Sequence, residues 1–217
     1  MSATRAVVGG NIGAGKTTVL DSLARMGVPV RCERVGEWAP ILSKFYVDMQ
    51  RWSFALQMRI LQSYTADAAF EGVSERSAME SRHVFAQMLH DDGCISPEEW
   101  QLYLDWYGSS GLDVESSCAR PLHYVYVRAP VDVLMGRIAR RNRACETTVT
   151  REYLSRVESY YEQFLHILQK QPRCTVTVVD GTQSPVAIAD AVARAIGVGG
   201  GATPTPGSPL GHATAGR

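Results

Sequence analysis

The stretch Gly9-Gly10-Asn11-Ile12-Gly13-Ala14-Gly15-Lys16-Thr17-Thr18 decides how the chain is read. From Gly10 to Thr17 it has the G-x-x-x-x-G-K-T spacing of a phosphate loop, with the apolar run Ala6-Val7-Val8 before it and a helical pattern, Thr17 to Met26, after it. Glycines let backbone N–H groups turn toward phosphate oxygens with no Cβ in the way. The N-terminus of the following helix adds partial positive charge. Lys16 is then placed for the β- and γ-phosphates and the Thr17 hydroxyl for Mg²⁺, with Gly10, Asn11, Ile12, Gly13, Ala14, Gly15 and Thr18 completing the nucleotide cradle. An all-apolar strand leading into such a loop suits a parallel strand buried on both faces. The expected fold class is α/β, a parallel β-sheet flanked by helices on both faces.

With 217 residues, 45% hydrophobic and 20% charged, the chain is long enough for one domain with a real core. Its formal net charge is zero, which argues against a nucleic-acid polymer or an anionic membrane as partner. Cys32, Cys94, Cys118, Cys145 and Cys174 are odd in number and lack CxxC spacing, which points to reduced thiols. Met1-Ser2-Ala3-Thr4-Arg5 leads into the first strand without a secretory apolar region, and no apolar run is long enough to span a bilayer. The expectation is an intracellular, cytoplasmic protein with its domain over residues 1–196. From Gly197 onward (197–217) the Gly/Pro/Thr/Ser-rich tail is too poor in apolar residues to order. The histidines show no metal-ligand spacing, so Mg²⁺ on the nucleotide is the one ion implied.

Beyond the loop, Val28 to Cys32 reads as a second strand ending at Glu33. Ligands of open parallel sheets sit beyond the carboxyl ends of strands, which puts Glu33 in the crevice of the phosphate loop; a solvated loop carboxylate is the alternative. From Pro40 to about Thr65 apolar residues recur three and four apart, predicting one long helix. Gln57, among Phe54, Leu56 and Ile60, needs a hydrogen-bond partner if buried, and the edge of a planar base would supply one. Val73-Ser74-Glu75-Arg76-Ser77 is too polar for periodicity to place. His90 to Gly93 reads as a turn, and Ser96 as the N-cap of a helix beginning at Pro97. A strand over His123 to Val127 precedes a helix that ends in Arg137, Arg140, Arg141 and Arg143, closed by Glu146. In a chain of zero net charge these arginines fit an anion clamp better than a solvated helix end. A helix over 152–169, a strand over Thr175 to Val179 and a helix over 185–196 complete the pattern.

In order and spacing, about residues 5–185 resemble the deoxynucleoside kinase family, the group of deoxycytidine, deoxyguanosine and mitochondrial-type thymidine kinases and their insect and viral relatives. The resemblance is carried by Gly10 to Thr18, by Arg51-Trp52-Ser53-Phe54-Ala55-Leu56-Gln57, by Glu75-Arg76-Ser77 and by Arg137-Ile138 leading to Arg141-x-Arg143. It implies the phosphate-loop kinase fold, ATP as donor with Mg²⁺, a deoxynucleoside as acceptor in nucleotide salvage for DNA synthesis, and a homodimer. By position it makes Glu33 the general base on the 5′-hydroxyl, with Trp38 in the same block and Arg34 where the family has proline. Tyr46 and Glu146 match residues that hold the sugar 3′-hydroxyl, Gln57 the glutamine on the base edge, and Phe85 an aromatic that packs on the base. Glu75 matches the acidic Mg²⁺ partner, Arg76 the arginine near the 5′-oxygen, and Arg137, Arg141 and Arg143 the lid arginines. Family members favouring deoxycytidine and purines line the far edge of the base pocket with Asp and Arg; here Ser81 and Tyr64 stand there, which leans toward thymidine with deoxycytidine tolerated.

Other classes stay in view. A nucleoside-monophosphate kinase would need cations around its acceptor phosphate, and residues 33–57 offer chiefly Glu, Tyr and Gln. A regulatory GTPase would carry an N-K-x-D motif, which the chain lacks. A catalytically dead nucleotide-binding module is opposed by the presence of Lys16, Thr17, Glu33, Glu75 and Arg76.

Overall fold

Alternation along Ala6, Val7 and Val8 sends side chains to opposite faces of a sheet, and both faces are covered. The computed structural model describes residues 5–66, 70–143, 146 and 148–198. Strand β1 (Ala6–Gly9) is followed by α1 (Lys16–Arg25), β2 (Val30–Arg31), α2 (Val35–Val47), α3 (Met49–Thr65) and β3 (Val73–Glu75). A short α4 (Ala78–Glu80) runs through a π-helical segment, Ser81–Ala86, into α5 (Gln87–Asp91). Then come α6 (Pro97–Ser109), α7 (Val114–Cys118), β4 (Leu122–Arg128), α8 (Val131–Arg141), α9 (Arg151–Gln169), β5 (Cys174–Asp180) and α10 (Pro185–Ala195). The described strands form a five-stranded parallel sheet in the order β2-β3-β1-β4-β5.

On one face Val7, Tyr124 and Tyr126 pack with Phe45 of α2, Leu56 of α3 and Val157, Tyr161 and Phe164 of α9. On the other, Val8, Val125 and Val127 pack with Leu20 and Leu23 of α1, Leu134 of α8 and Val192 of α10. Register sets the crevice. Val8 pairs with Glu75 and Gly9 with Tyr126, so β3 and β1 deliver Glu75 and the phosphate loop to the same edge of the sheet.

One expectation is corrected, and a stretch left open by the sequence is placed. The long helix expected from Pro40 to Thr65 is two helices, and the first begins at Val35, five residues before the proline. Asp48 breaks them: its backbone (φ −143°, ψ 85°) is not helical, and its carboxylate caps the second helix by accepting from the N–H of Arg51. The polar stretch that periodicity could not place, Val73–Glu75, is a central strand. Its Val73 is fully buried, Ser74 accepts from Arg31, and Glu75 carries the polarity of the site edge. The Ser96 cap is present as a full capping box with Glu99. Of the predicted tail, Gly197 and Val198 close α10 by backbone hydrogen bonds to Arg194 and Ala193, and 199–217 lie outside the described residues. Cys145 also lies outside them. No helix among the described residues is long and apolar enough to cross a membrane.

Candidate active site

The loop after β1 turns through Gly10, Gly13 and Gly15, each at positive φ, and Gly15 in the left-handed conformation starts α1. A Cβ on Gly10 would stand 2.8 Å from the Val127 carbonyl, so this turn accepts no side chain. Lys16 folds back over the loop it belongs to, donating to the Gly10 carbonyl at 2.9 Å and the Asn11 carbonyl at 3.0 Å. Burial, followed by the charge of Arg76, lowers its ammonium to about 8 against the pull of Glu75, Glu33 and Glu80. Asn11 points away from the phosphate side: its Nδ2 donates to the Leu154 carbonyl and its Oδ1 accepts from the N–H of Ile12. Of the loop, Ile12, Gly13, Lys16 and Thr17 face a cavity of about 410 Å³, the size of a small-molecule site.

Across that cavity stand Glu33, just past β2, and Arg76, just past β3. Arg76 Nη1 lies 3.1 Å from both Glu33 carboxylate oxygens, and Nη2 reaches the Gly10 carbonyl at 3.4 Å. Its guanidinium also covers the Phe85 ring at 4.7 Å. Burial would lower Arg76; Glu33 leads the groups that outweigh it and hold it well above its ordinary value. Its backbone is left-handed, at φ 58°, a costly setting for a long side chain that here aims it into the cleft.

Glu75 ties the two walls. Its carboxylate accepts from the Thr17 hydroxyl at 3.0 and 3.2 Å and from the N–H of Glu33 at 3.3 Å. Two oxygens on adjacent corners of a Mg²⁺ octahedron, each about 2.1 Å from the ion, stand about 3 Å apart. The Thr17 and Glu75 oxygens thus have the separation and the hard-oxygen chemistry that Mg²⁺ takes. Among the described residues no cluster of three or more His, Cys, Asp or Glu side chains could hold a metal.

The far end of the cavity is built from α2, α3 and the π-helical segment. Trp38 and Tyr46 come from α2, Gln57 and Tyr64 from α3, and Ser81 and Phe85 from the π-helical segment, all on the cavity lining. A π-helical turn, rare and frequent at functional sites, aims Ser81 and Phe85 at one space. Ser81 Oγ donates to Gln57 Oε1 at 3.0 Å, and both residues are buried. Tyr64 is buried too, and burial, the leading cause, drives its hydroxyl well above its ordinary value, keeping it a neutral donor.

Arg141, Arg143 and Glu146 also line the cavity, whereas Arg137 does not: its Nη1 donates to the Ala14 carbonyl at 3.3 Å, over the loop. Glu146 is buried between the first two, its Oε2 2.5 Å from Arg141 Nη2 and its Oε1 3.4 Å from Arg143 Nη1. Sequence reasoning missed Tyr153, which lines the cavity from the first turn of α9, and Tyr103, buried behind Ser81 with its hydroxyl unpartnered among the described residues. It also missed Glu80 and Tyr161, which stand behind the phosphate loop. Aromatic residues at helical spacing read as core, and they are core; no spacing in the sequence separates that role from the other.

The deoxynucleoside kinase family model matches residues 6–194. Putative kinase protein 029R of Invertebrate iridescent virus 3 is 33% identical over 159 residues, covering 70% of this chain and 78% of that one. Deoxyadenosine/deoxycytidine kinase of Bacillus subtilis is 30% identical over 165 residues, covering 73% of this chain and 75% of that one. Among solved structures, deoxyadenosine kinase from M. mycoides with products dCMP and dCDP superposes with a TM-score of 0.75 at 21% identity, over 89% of this chain and 98% of that one. At that identity the superposition speaks for the fold alone.

Proposed function

The chain belongs to the deoxynucleoside kinase family, and from that premise we propose that it transfers the γ-phosphoryl group of ATP to the 5′-hydroxyl of thymidine, with deoxycytidine tolerated. The observation that carries this reading is the meeting of Lys16 and Glu33 on one cavity, a phosphate-binding cation facing a carboxylate. Phosphoryl transfer runs through a loose transition state, so the protein's work is placement and charge stabilisation. Glu33 takes the proton of the 5′-hydroxyl, and Arg76, already on Glu33, orients that carboxylate and the 5′-oxygen. Thr17 and Glu75 would hold Mg²⁺, which would supply charge neutralisation at the phosphates. Lys16, Arg141 and Arg143 take up charge on the phosphoryl oxygens, with Arg137 bracing the loop beneath them. To do so Arg141 and Arg143 exchange Glu146 for phosphate, which frees Glu146 to join Tyr46 at the sugar 3′-hydroxyl. Trp38 and Phe85 enclose the base, and Gln57 meets its edge.

Support for thymine is local. Ser81 and Tyr64 bring no charge to the far edge of the base pocket, so an exocyclic amino group finds no acidic partner there. The B. subtilis relative is named for deoxyadenosine and deoxycytidine, and those are the acceptors against which the preference is to be measured. Leu102 and Trp106, four apart on α6 and exposed, are the surface proposed to bury in a homodimer. A coupled kinase assay with thymidine, deoxycytidine, deoxyadenosine, deoxyguanosine and thymidine monophosphate tests the reading. Turnover is expected with thymidine first. No turnover with any nucleoside overturns the activity, and a purine preference overturns the use of Ser81 and Tyr64.

A further inference from the structure

Gly9 adopts no positive φ, yet it has no room for a side chain: a Cβ would stand 1.9 Å from Tyr124 Oη and 2.9 Å from Glu80 Oε1. The space behind the phosphate loop is therefore held by two polar side chains that the reaction above does not use. Glu80 is fully buried. Facing it are Lys16 from α1, Arg76 from the end of β3, Tyr124 and Tyr126 from β4, Tyr161 from α9 and Tyr64 from α3.

Hydrogens can be counted here. Tyr161 Oη lies 2.8 Å from the Gly10 carbonyl oxygen and 2.9 Å from Glu80 Oε1. A phenol has one hydrogen, and a carbonyl and an ionised carboxylate are both pure acceptors. With Glu80 ionised, one of the two short contacts has no hydrogen in it. With a proton on Glu80, the acid donates to Tyr161, Tyr161 donates to Gly10, and both contacts are hydrogen bonds. Glu80 and Tyr124 face each other closely enough to interact, yet Glu80 Oε2 and Tyr124 Oη make no hydrogen bond of good geometry among the described residues, which a buried neutral acid tolerates far better than a buried carboxylate. Burial, opposed by Arg76 and Lys16, pushes Glu80 up to about 7. The Gly10 carbonyl is also the seat of Lys16, at 2.9 Å.

We propose that Glu80, in its neutral form, is a positioning residue of the phosphate loop: through Tyr161 it gives the Gly10 carbonyl a short donor besides Lys16, so that Lys16 can leave that carbonyl for a nucleotide phosphate. The proposal rests on the reading of this loop as the nucleotide site. When Glu80 is ionised, the Tyr161 hydrogen turns to the charged acceptor, which binds it more strongly. The Gly10 carbonyl is then left to Lys16 and to the longer contact from Arg76. Nucleotide binding and the Glu80 proton are thus linked, and linkage is reciprocal: binding draws a proton onto Glu80.

The test is calorimetric binding of MgADP to the full chain between pH 6 and 8. We expect affinity to fall several-fold as pH rises in the wild type and clearly less in Glu80→Gln, whose amide still donates to Tyr161 and in which Lys16, at about 8, is left titrating. In Tyr161→Phe we expect the same shallower slope and about tenfold weaker binding, the loss of one hydrogen bond to a buried carbonyl. A wild-type pH slope retained in Glu80→Gln, or unaltered affinity in Tyr161→Phe, overturns the proposal. Should a variant fail to fold, the wild type titrated at pH 6.5, where Lys16 already holds its proton and Glu80 is still partly ionised, in two buffers of different ionisation enthalpy gives the answer: net proton uptake supports the proposal, and none overturns it. The readout is nucleotide binding alone, so it is independent of which deoxynucleoside is turned over.

Discussion

Arg76 Nη1 stands 3.1 Å from each carboxylate oxygen of Glu33, so one nitrogen sits astride the whole carboxylate. Each oxygen keeps a lone pair free for the cavity. Replacing Glu33 by Gln keeps the shape and removes the basicity, so kcat is expected to drop by about 10²–10⁴ with little change in nucleoside KM. Steady-state kinetics on Glu33→Gln decides this; wild-type kcat would remove Glu33 as the base.

Thr17 and Glu75 present oxygens 3.0 Å apart. Glu75→Gln removes the charge but not the bulk, and the Mg²⁺ concentration for half-maximal rate is expected to rise on the order of tenfold. A titration of rate against Mg²⁺ at fixed ATP measures it, and an unchanged midpoint speaks against Glu75 as a ligand.

Ser81 bonds Gln57 in an uncharged pocket. Ser81→Asp would offer a charged acceptor to an exocyclic amino group, worth about 10–100-fold for a charged hydrogen bond. The ratio of deoxycytidine to thymidine kcat/KM is expected to rise by that order. Competition kinetics with both nucleosides shows it, and an unmoved ratio means that Ser81 does not read the base.

Glu80 supplies a pH-dependent stability. Its native value of about 7 lies above the 4.5 of an exposed carboxyl, so the folded protein holds a proton that the unfolded chain has released. The contribution of this group is most favourable below about pH 4.5, declines as pH rises toward 7, and is level above. Urea midpoints at pH 5, 6, 7 and 8 should fall less steeply in Glu80→Gln than in the wild type, and parallel profiles would contradict the raised value.

Two glycines give opposite signs. Gly136 lies exposed inside α8 with nothing within 4 Å of the point where a Cβ would stand, so Gly136→Ala is expected to stabilise by about 0.5–1 kcal/mol. Gly9→Ala would drive a methyl group into Tyr124 and is expected to destabilise by about 1–3 kcal/mol, the usual range for overpacking. Chemical denaturation of both variants checks the pair.

The phosphate loop and β4, α9 and β5 were legible because their patterns are long or carry a rigid spacing. Val73–Glu75 was not: three residues are too few to show a period, and two of them are polar, Glu75 because it borders the cleft and Ser74 because it meets Arg31. The break at Asp48 has a capping residue but no glycine or proline beside it, so the apolar spacing runs through it undisturbed. The π-helical segment leaves no mark in composition at all. In the site, Lys16, Thr17 and Glu33 follow from motif and strand end. The hydrogen bond between Ser81 and Gln57, the capture of Glu146 by two arginines and the turning of Asn11 toward Leu154 depend on rotamers that only packing decides.

The break at Asp48 puts Tyr46 and Gln57 on separate helices. In the reading proposed above, Tyr46 meets the sugar and Gln57 the edge of the base, so these two contacts can vary separately. Substitutions at Gln57 would then change which base edge is welcome while Tyr46 goes on meeting the deoxyribose. A scaffold divided at that joint can exchange its vocabulary of bases one helix at a time, without relearning its grammar.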